Sequence, residues 1–209
     1  NICQKIPGAN IDDIAKTIGL DPRIGKLFLN AGPGYGGSCL PKDMKALINF
    51  ANISGINPIL LNAVEEVNTK QLKQIIALTK QKLGNLSSKK ITILGTAFKP
   101  DTDDIRDSIA IELIKKLLKM KPKIIIHDPK AMKNTKRIFE DKISYAKTIE
   151  DALSKSHCII IMTQWKQYEK LNNNQFKYMT RKFVIDCRRM LAKKQLDVDY
   201  YAIGLGKQN

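Results

Sequence analysis

From Lys89 onward, short runs of branched apolar residues recur with helix-length stretches between them: Ile91-Thr92-Ile93-Leu94, Ile124-Ile125-Ile126, Ile159-Ile160-Ile161 and Phe183-Val184-Ile185. None alternates strictly between apolar and polar, so each must be covered on both faces. Strands of this kind joined by helical crossovers specify a parallel sheet. Ile109 to Leu118 and Thr148 to Leu153 read as crossover helices, and Tyr200 to Ile203 as an added edge strand. A Rossmann-like α/β domain is therefore expected over residues 88–209. Ligands of such sheets bind beyond the carboxyl ends of the strands. Those ends here offer Phe98-Lys99, His127-Asp128, Thr163-Gln164-Trp165 and Asp186-Cys187-Arg188.

Residues 1–87 read as helical instead. Asn10 can cap a short helix that runs to Ile18 and stops at Gly19. A glycine-rich loop occupies Gly32 to Gly37, and Pro41 fits the first turn of a helix reaching about Ile53. Asn57-Pro58 can start a long helix ending at Gly84, with Leu60, Leu61, Val64, Val67, Ile75, Leu78 and Leu83 partly following a helical stripe. Asn85 to Ser88 reads as a linker. The expected fold class is α/β: a helical central region, then a Rossmann-like parallel-sheet domain.

Composition narrows the function classes. The chain has 209 residues, 43% of them hydrophobic and 27% charged, which suits a globular protein. No apolar run approaches the ~20 residues that span a bilayer. No signal peptide opens the chain, and no membrane partner is expected. The missing initiator Met leads us to expect a cut or processed chain. The formal net charge of +16 comes from lysines scattered along the sequence. We read them as a solvated surface and expect no nucleic-acid partner, since no zinc-finger or RNA-recognition motif accompanies them. The four cysteines, Cys3, Cys39, Cys158 and Cys187, show no CxxC pair and no metal spacing. No metal site is expected, and the cysteine usage fits a reducing cytoplasm.

The most informative stretch is Gly32-Pro33-Gly34-Tyr35-Gly36-Gly37-Ser38-Cys39-Leu40-Pro41-Lys42-Asp43. Gly32, Gly34 and Gly37 match GxGxxG, but a dinucleotide fingerprint follows a strand, and Leu27-Phe28-Leu29 is at best a weak one. The glycines instead allow the backbone to approach a ligand closely. Cys39 falls just before the helix that Pro41 opens, where the positive helix end and Lys42 favour a thiolate. Asp43, four residues on, is placed to orient a base or a water. The plain alternative is a flexible glycine loop beside a buried cysteine.

Two blocks of this sequence resemble a known family. Asp21-Pro22-Arg23-Ile24-Gly25 followed by Gly34 to Asp43 resembles the signature of the UDP-glucose/GDP-mannose dehydrogenases. Gly95-Thr96-Ala97-Phe98-Lys99-Pro100-Asp101-Thr102-Asp103-Asp104-Ile105-Arg106-Asp107-Ser108 resembles that family's C-terminal domain. Thr163-Gln164-Trp165 and Asp186-Cys187-Arg188 follow in the family's order, so the resemblance covers almost the whole chain.

The resemblance implies oxidation of a sugar C6 alcohol to a carboxylate with two NAD. It implies that Cys39 attacks an intermediate aldehyde to give a thiohemiacetal and then a thioester, with Asp43 assisting proton transfer or placing water. By the same resemblance the backbone of Asn30, Ala31, Gly32, Pro33, Gly34, Tyr35 and Gly36 wraps the sugar, with the Tyr35 side chain packing on it. Phe98 and Lys99 hold the base and phosphate end, and Arg188 reaches the substrate from the fourth strand. Arg23 reaches a neighbouring subunit's substrate, which requires a homodimer, expected through the long helix. Cys39, Lys42 and Arg106 touch NAD, whose main binding domain is absent from these residues, so this chain alone is expected not to turn over. Asp21 to Ile24 and Tyr35 resemble the branch acting on UDP-glucose more than that acting on GDP-mannose or a UDP-N-acetylamino sugar. A non-catalytic nucleotide-binding or dimerisation module is the contrasting expectation. His127, Asp128 and Trp165 read as turn chemistry and packing.

Overall fold

A computed structural model describes residues 1–206. Its second half is built on six strands: β1 (Lys90–Leu94), β2 (Lys123–His127), β3 (Ser144–Tyr145), β4 (Cys158–Ile161), β5 (Phe183–Asp186) and β6 (Asp199–Ala202). They pair in the order β3-β2-β1-β4-β5-β6, and every pair is parallel. The chain winds outward from β1 to β3, then returns to lay β4 on the other side of β1. The order therefore reverses between β1 and β4, the place where such sheets open a crevice.

The apolar runs are strands because both their faces are buried. Ile91, Ile93, Ile124, Ile126 and Ile160 join one cluster with the helix α4 (Ile109–Leu118), which buries Ala110, Ile111, Leu113, Ile114 and Leu117. Leu94, Ile159, Ile161 and Val184 face the other way, onto Trp165, Tyr168, Phe176 and the short helix α6 (Ile149–Leu153).

Of the α-helices and strands, three were not foreseen: α5 (Met132–Phe139), the two-residue β3, and α7 (Asn173–Phe176). In α5 only Thr135 and Phe139 are buried, four residues apart, and the polar residues around them hide the period. The strand β3 has no apolar run to announce it. The helix α7 is set by a capping box between Asn172 and Gln175, a local signal in a polar segment.

The first half contains α1 (Ile11–Ile18), α2 (Leu40–Ile53) and α3 (Ile59–Leu83). Asn10 caps α1, accepting the Asp12 N–H at 3.1 Å. Cys39 is the N-cap of α2, with Pro41 in its first turn. Leu27 to Leu29 forms a turn, not a strand, with Phe28 97% exposed. Arg189, beyond β5, ties α1 down: it donates to Asp12 at 2.8 Å and to the Ile203 carbonyl at 2.8 Å.

The long α3 spans ~37 Å and lives in two environments. Its second half buries Leu72, Ile75, Ile76, Thr79 and Leu83, most of them in the same cluster as α4. No residue from Ile59 to Gln71 is buried, and Leu60 and Val67 are 75% and 52% exposed. The expected linker at Asn85 to Ser88 is corrected: Leu86 is 3% exposed and belongs to that same core. No described helix is long and apolar enough to cross a membrane.

Candidate functional site

The crevice between β1 and β4 has a rigid floor. Asp128, at the end of β2 and almost fully buried, accepts five N–H groups. They come from Thr96 (2.7 Å), Ala97 (3.0 Å), Lys130 (2.9 Å), Ala131 (2.7 Å) and the Trp165 indole (3.2 Å). Ser108 Oγ donates to the Thr96 carbonyl at 2.7 Å, and Thr163 Oγ1 to the Ala97 carbonyl at 2.6 Å. These bonds fix the connection between β1 and α4 across the switch point and present Phe98 at its edge.

Arg188 comes to the same crevice from β5. Its Nε donates to the Met162 carbonyl at 2.8 Å, which leaves other guanidinium donors for a ligand. Burial pulls its pKa below the ordinary arginine value. Asp186 holds the turn beneath it, accepting from the Arg188 N–H (3.0 Å), the Leu191 N–H (2.8 Å) and the Tyr200 hydroxyl (3.0 Å). Burial raises the Asp186 pKa, and those donors oppose the rise. Lys99 is exposed, with its ammonium 5.4 Å from the centre of the Phe98 ring.

The glycine loop lies directly on this edge. A Cβ at Gly36 would fall 2.3 Å from the Asp107 carbonyl oxygen, and one at Gly37 2.6 Å from the Phe98 ring. Side chains do not tolerate such distances, so glycine is what allows the loop to press against the β1–α4 connection. Gly32 sits against the Arg188 guanidinium, 3.0 Å from Nη1 to an added Cβ. Loop and sheet thus enclose a small cleft lined by Gly34, Gly36, Phe98, Ser108, Met162 and Arg188.

Past the loop, Cys39 is exposed, while Cys3, Cys158 and Cys187 are buried; all four are free thiols. Burial pushes the Cys158 and Cys187 thiols up, so neither is a nucleophile at neutral pH. The Asp43 N–H donates to the Cys39 carbonyl at 2.9 Å, which puts the two residues on consecutive turns of α2. Lys42 pairs with Asp43 at 3.5 Å, both exposed. Arg106 forks onto Asp104, with Nη2 at 2.6 Å. That pairing raises the Arg106 pKa and lowers that of Asp104.

The remaining residues read from the sequence are spread more widely. Ala31 packs against the sheet's core, Pro33 is buried and Asn30 is exposed. Arg23 pairs with Asp21 at 2.7 Å on the surface and is not brought to the cleft within one chain. Tyr35 turns toward α3, where its hydroxyl donates to Glu65 and its backbone meets Asn68. Sequence reasoning missed Glu65 and Asn68. Their signal was available: two polar residues, three apart, on the helix face that Leu61, Val64 and Leu72 otherwise make apolar.

The fold and this loop define a nucleotide-binding class of protein, a Rossmann-like sheet whose carboxyl edge is covered by a glycine loop leading into a helix. Comparison with known proteins is more specific. Residues 1–70 match the profile of the central domain of the UDP-glucose/GDP-mannose dehydrogenase family, and residues 92–193 match that of its UDP binding domain. The chain belongs to the UDP-glucose/GDP-mannose dehydrogenase family. It is 39% identical to the UDP-glucose 6-dehydrogenase AglM of Haloferax volcanii over 97% of this chain and 46% of that protein. To the UDP-glucose 6-dehydrogenase of Rickettsia felis it is 38% identical, over 98% and 47%. The solved UDP-glucose dehydrogenase of Pyrobaculum islandicum superposes with a TM-score of 0.87 at 32% identity, covering 95% of this chain and 44% of that one. The chain thus spans about half the length of the relatives it matches.

Proposed function

We propose that this chain carries the nucleotide-sugar site and the catalytic thiol of a UDP-glucose 6-dehydrogenase, which oxidises UDP-glucose to UDP-glucuronate. The observation that supports this most directly is the exposed Cys39 at the N-terminus of α2, on a loop pressed between Phe98 and Arg188. The relatives named as UDP-glucose 6-dehydrogenases point to the same substrate.

In this reading the uracil and diphosphate lie along Phe98, Lys99 and Arg188, where an aromatic face and two cations suit a base and two phosphates. The backbone from Asn30 to Gly36 wraps the sugar, and Arg23 serves the site of a second copy in a homodimer. NAD, when bound, accepts the hydride released at each oxidation. The described residues fit only the border of an NAD site, at Cys39, Lys42 and Arg106. The acidic residue that follows β2, Asp128, already has five N–H partners and is not free to take a ribose.

The chemistry that falls to this chain is covalent. The Cys39 thiolate adds to the C6 aldehyde, and the alkoxide so formed takes up a proton from water to give a thiohemiacetal. With NAD bound to take the C6 hydride, loss of that hydride and of the hydroxyl proton would leave a thioester on Cys39. Water, oriented by Asp43, cleaves it to the carboxylate and the free thiol. The four free cysteines fit a reducing cytoplasm as its compartment.

Calorimetric titration tests the site. UDP is expected to bind this chain more tightly than GDP or pyrophosphate. Lys99→Ala is expected to lose roughly 1.5–3 kcal/mol, about tenfold or more in affinity. Equal affinity for all three ligands would reduce the site to a general attraction of anions.

A further inference from the structure

Two polar side chains of α3 face the glycine loop, and no step above uses them. Asn68 Oδ1 accepts the Tyr35 N–H at 2.8 Å, and Asn68 Nδ2 donates to the Tyr35 carbonyl at 3.1 Å. One amide thus takes both main-chain groups of a single residue, as a neighbouring strand would. Nearly one turn earlier, Glu65 accepts the Tyr35 hydroxyl. Gly34 stands at φ +115°, and a Cβ there would lie 2.4 Å from Asn68 Oδ1, so a bare glycine is what lets the amide come this close.

Only Gly36, Gly37 and Ser38 separate Tyr35 from Cys39. Four residues reach at most ~14 Å, so a fixed Tyr35 limits where the thiol can lie. A glycine-rich segment also loses more conformational freedom on ordering than any other, and needs contacts to offset that loss. We infer that Asn68 and Glu65 are positioning residues: they clamp Tyr35 from α3 and thereby deliver Cys39 to the N-terminus of α2, over the carboxyl edge of the sheet. The chemical meaning of the clamp rests on the proposed role of Cys39; its geometry does not.

The test uses this chain with Asn68→Ala, Asn68→Asp, Glu65→Gln and, as a control on the exposed side of α3, Lys70→Ala. Amide hydrogen exchange reads Tyr35, and limited iodoacetamide alkylation reads Cys39 against the buried Cys3, Cys158 and Cys187. Protection of the β1 amides reports that the fold is intact. Asn68→Ala is expected to speed Tyr35 exchange about tenfold, the loss of one hydrogen bond, and to change Cys39 alkylation by a similar factor with β1 unaffected. Asn68→Asp keeps the acceptor for the Tyr35 N–H but sets an oxygen against its carbonyl, so it is expected to loosen the loop less. Lys70→Ala is expected to move neither. Parent-like Tyr35 exchange and Cys39 alkylation in both Asn68 variants overturn the inference. Should Asn68→Ala lose β1 protection, Asn68→Asp and Glu65→Gln decide by the same criterion. Titrating UDP into the same samples separates the two readings: a parent chain that binds no UDP removes the proposed function and leaves the clamp standing.

Discussion

Tyr35 keeps its proton far into the alkaline range, with its pKa pushed up to about 12. Burial is the main cause, and the hydrogen bond to Glu65 and that residue's negative charge add to it. A folded pKa above the unfolded value of ~10 stabilises the protein below that value. The contribution is lost as pH rises from there toward 12, because the unfolded chain ionises first. Glu65→Gln should lower the Tyr35 midpoint without returning it to the ordinary value, since burial remains. An ultraviolet difference titration against Tyr35→Phe isolates the one phenol, and an unchanged midpoint would contradict the contact. At this scale the sequence was partly legible. Cys39, Phe98 and Arg188, which we assign to the proposed site, each stand in a distinctive local string. Glu65 and Asn68 interrupt an apolar helix face, which marks them as unusual, but their partner is about thirty residues away and only the folded loop shows that it is Tyr35.

Among the elements, α2 and the first half of α3 leave apolar side chains exposed. Ile59, Leu60 and Val67 are 71%, 75% and 52% exposed, and Phe50 and Ile53 of α2 are 67% and 77% exposed. A surface of this kind asks for a partner, and we assign it to the proposed homodimer, where a two-fold axis would set one patch against its copy. Leu60→Asp with Val67→Asp is expected to give a monomer in sedimentation at micromolar concentration, where the parent sediments as a dimer. A parent that is monomeric throughout would remove the dimer. The elements themselves were legible wherever burial and period agreed, as in β1, β4, β5 and α4. Failure came where the buried residues were few. In α5 the buried positions are reduced to Thr135 and Phe139, and β3 spends only Ser144 and Tyr145 on the ladder.

For the molecule as a whole, topology gathers charge that looked evenly spread along the sequence. Lys89 and Lys90 open β1, Lys121 and Lys123 open β2, Lys155 and His157 precede β4, and Arg181 and Lys182 precede β5. All lie at the amino edge of the sheet, opposite the cleft. The crowding is felt: Lys155 adds to the burial that lowers the Lys90 pKa, and Lys89 and Arg181 add to the burial that lowers that of His157. A lowered histidine pKa costs stability as pH falls below the unfolded value of ~6.5. The melting temperature should therefore rise with added salt, which screens charges beyond ~10 Å at 0.1 M, and should fall from neutral to mildly acid pH. A melting temperature indifferent to salt would mean that these cations do not strain the fold.

The division of α3 between two environments has a consequence for anyone exchanging parts between relatives. Composition changes near residue 88, which invites a splice at the loop after the helix. Packing puts the seam elsewhere: Leu72, Ile75, Ile76, Leu83 and Leu86 belong to the sheet's core, while Glu65 and Asn68 belong to the glycine loop. A chimera joined after Gly84 would graft one protein's helix end onto another protein's core. The helix has to be re-tailored in its middle, where its allegiance changes.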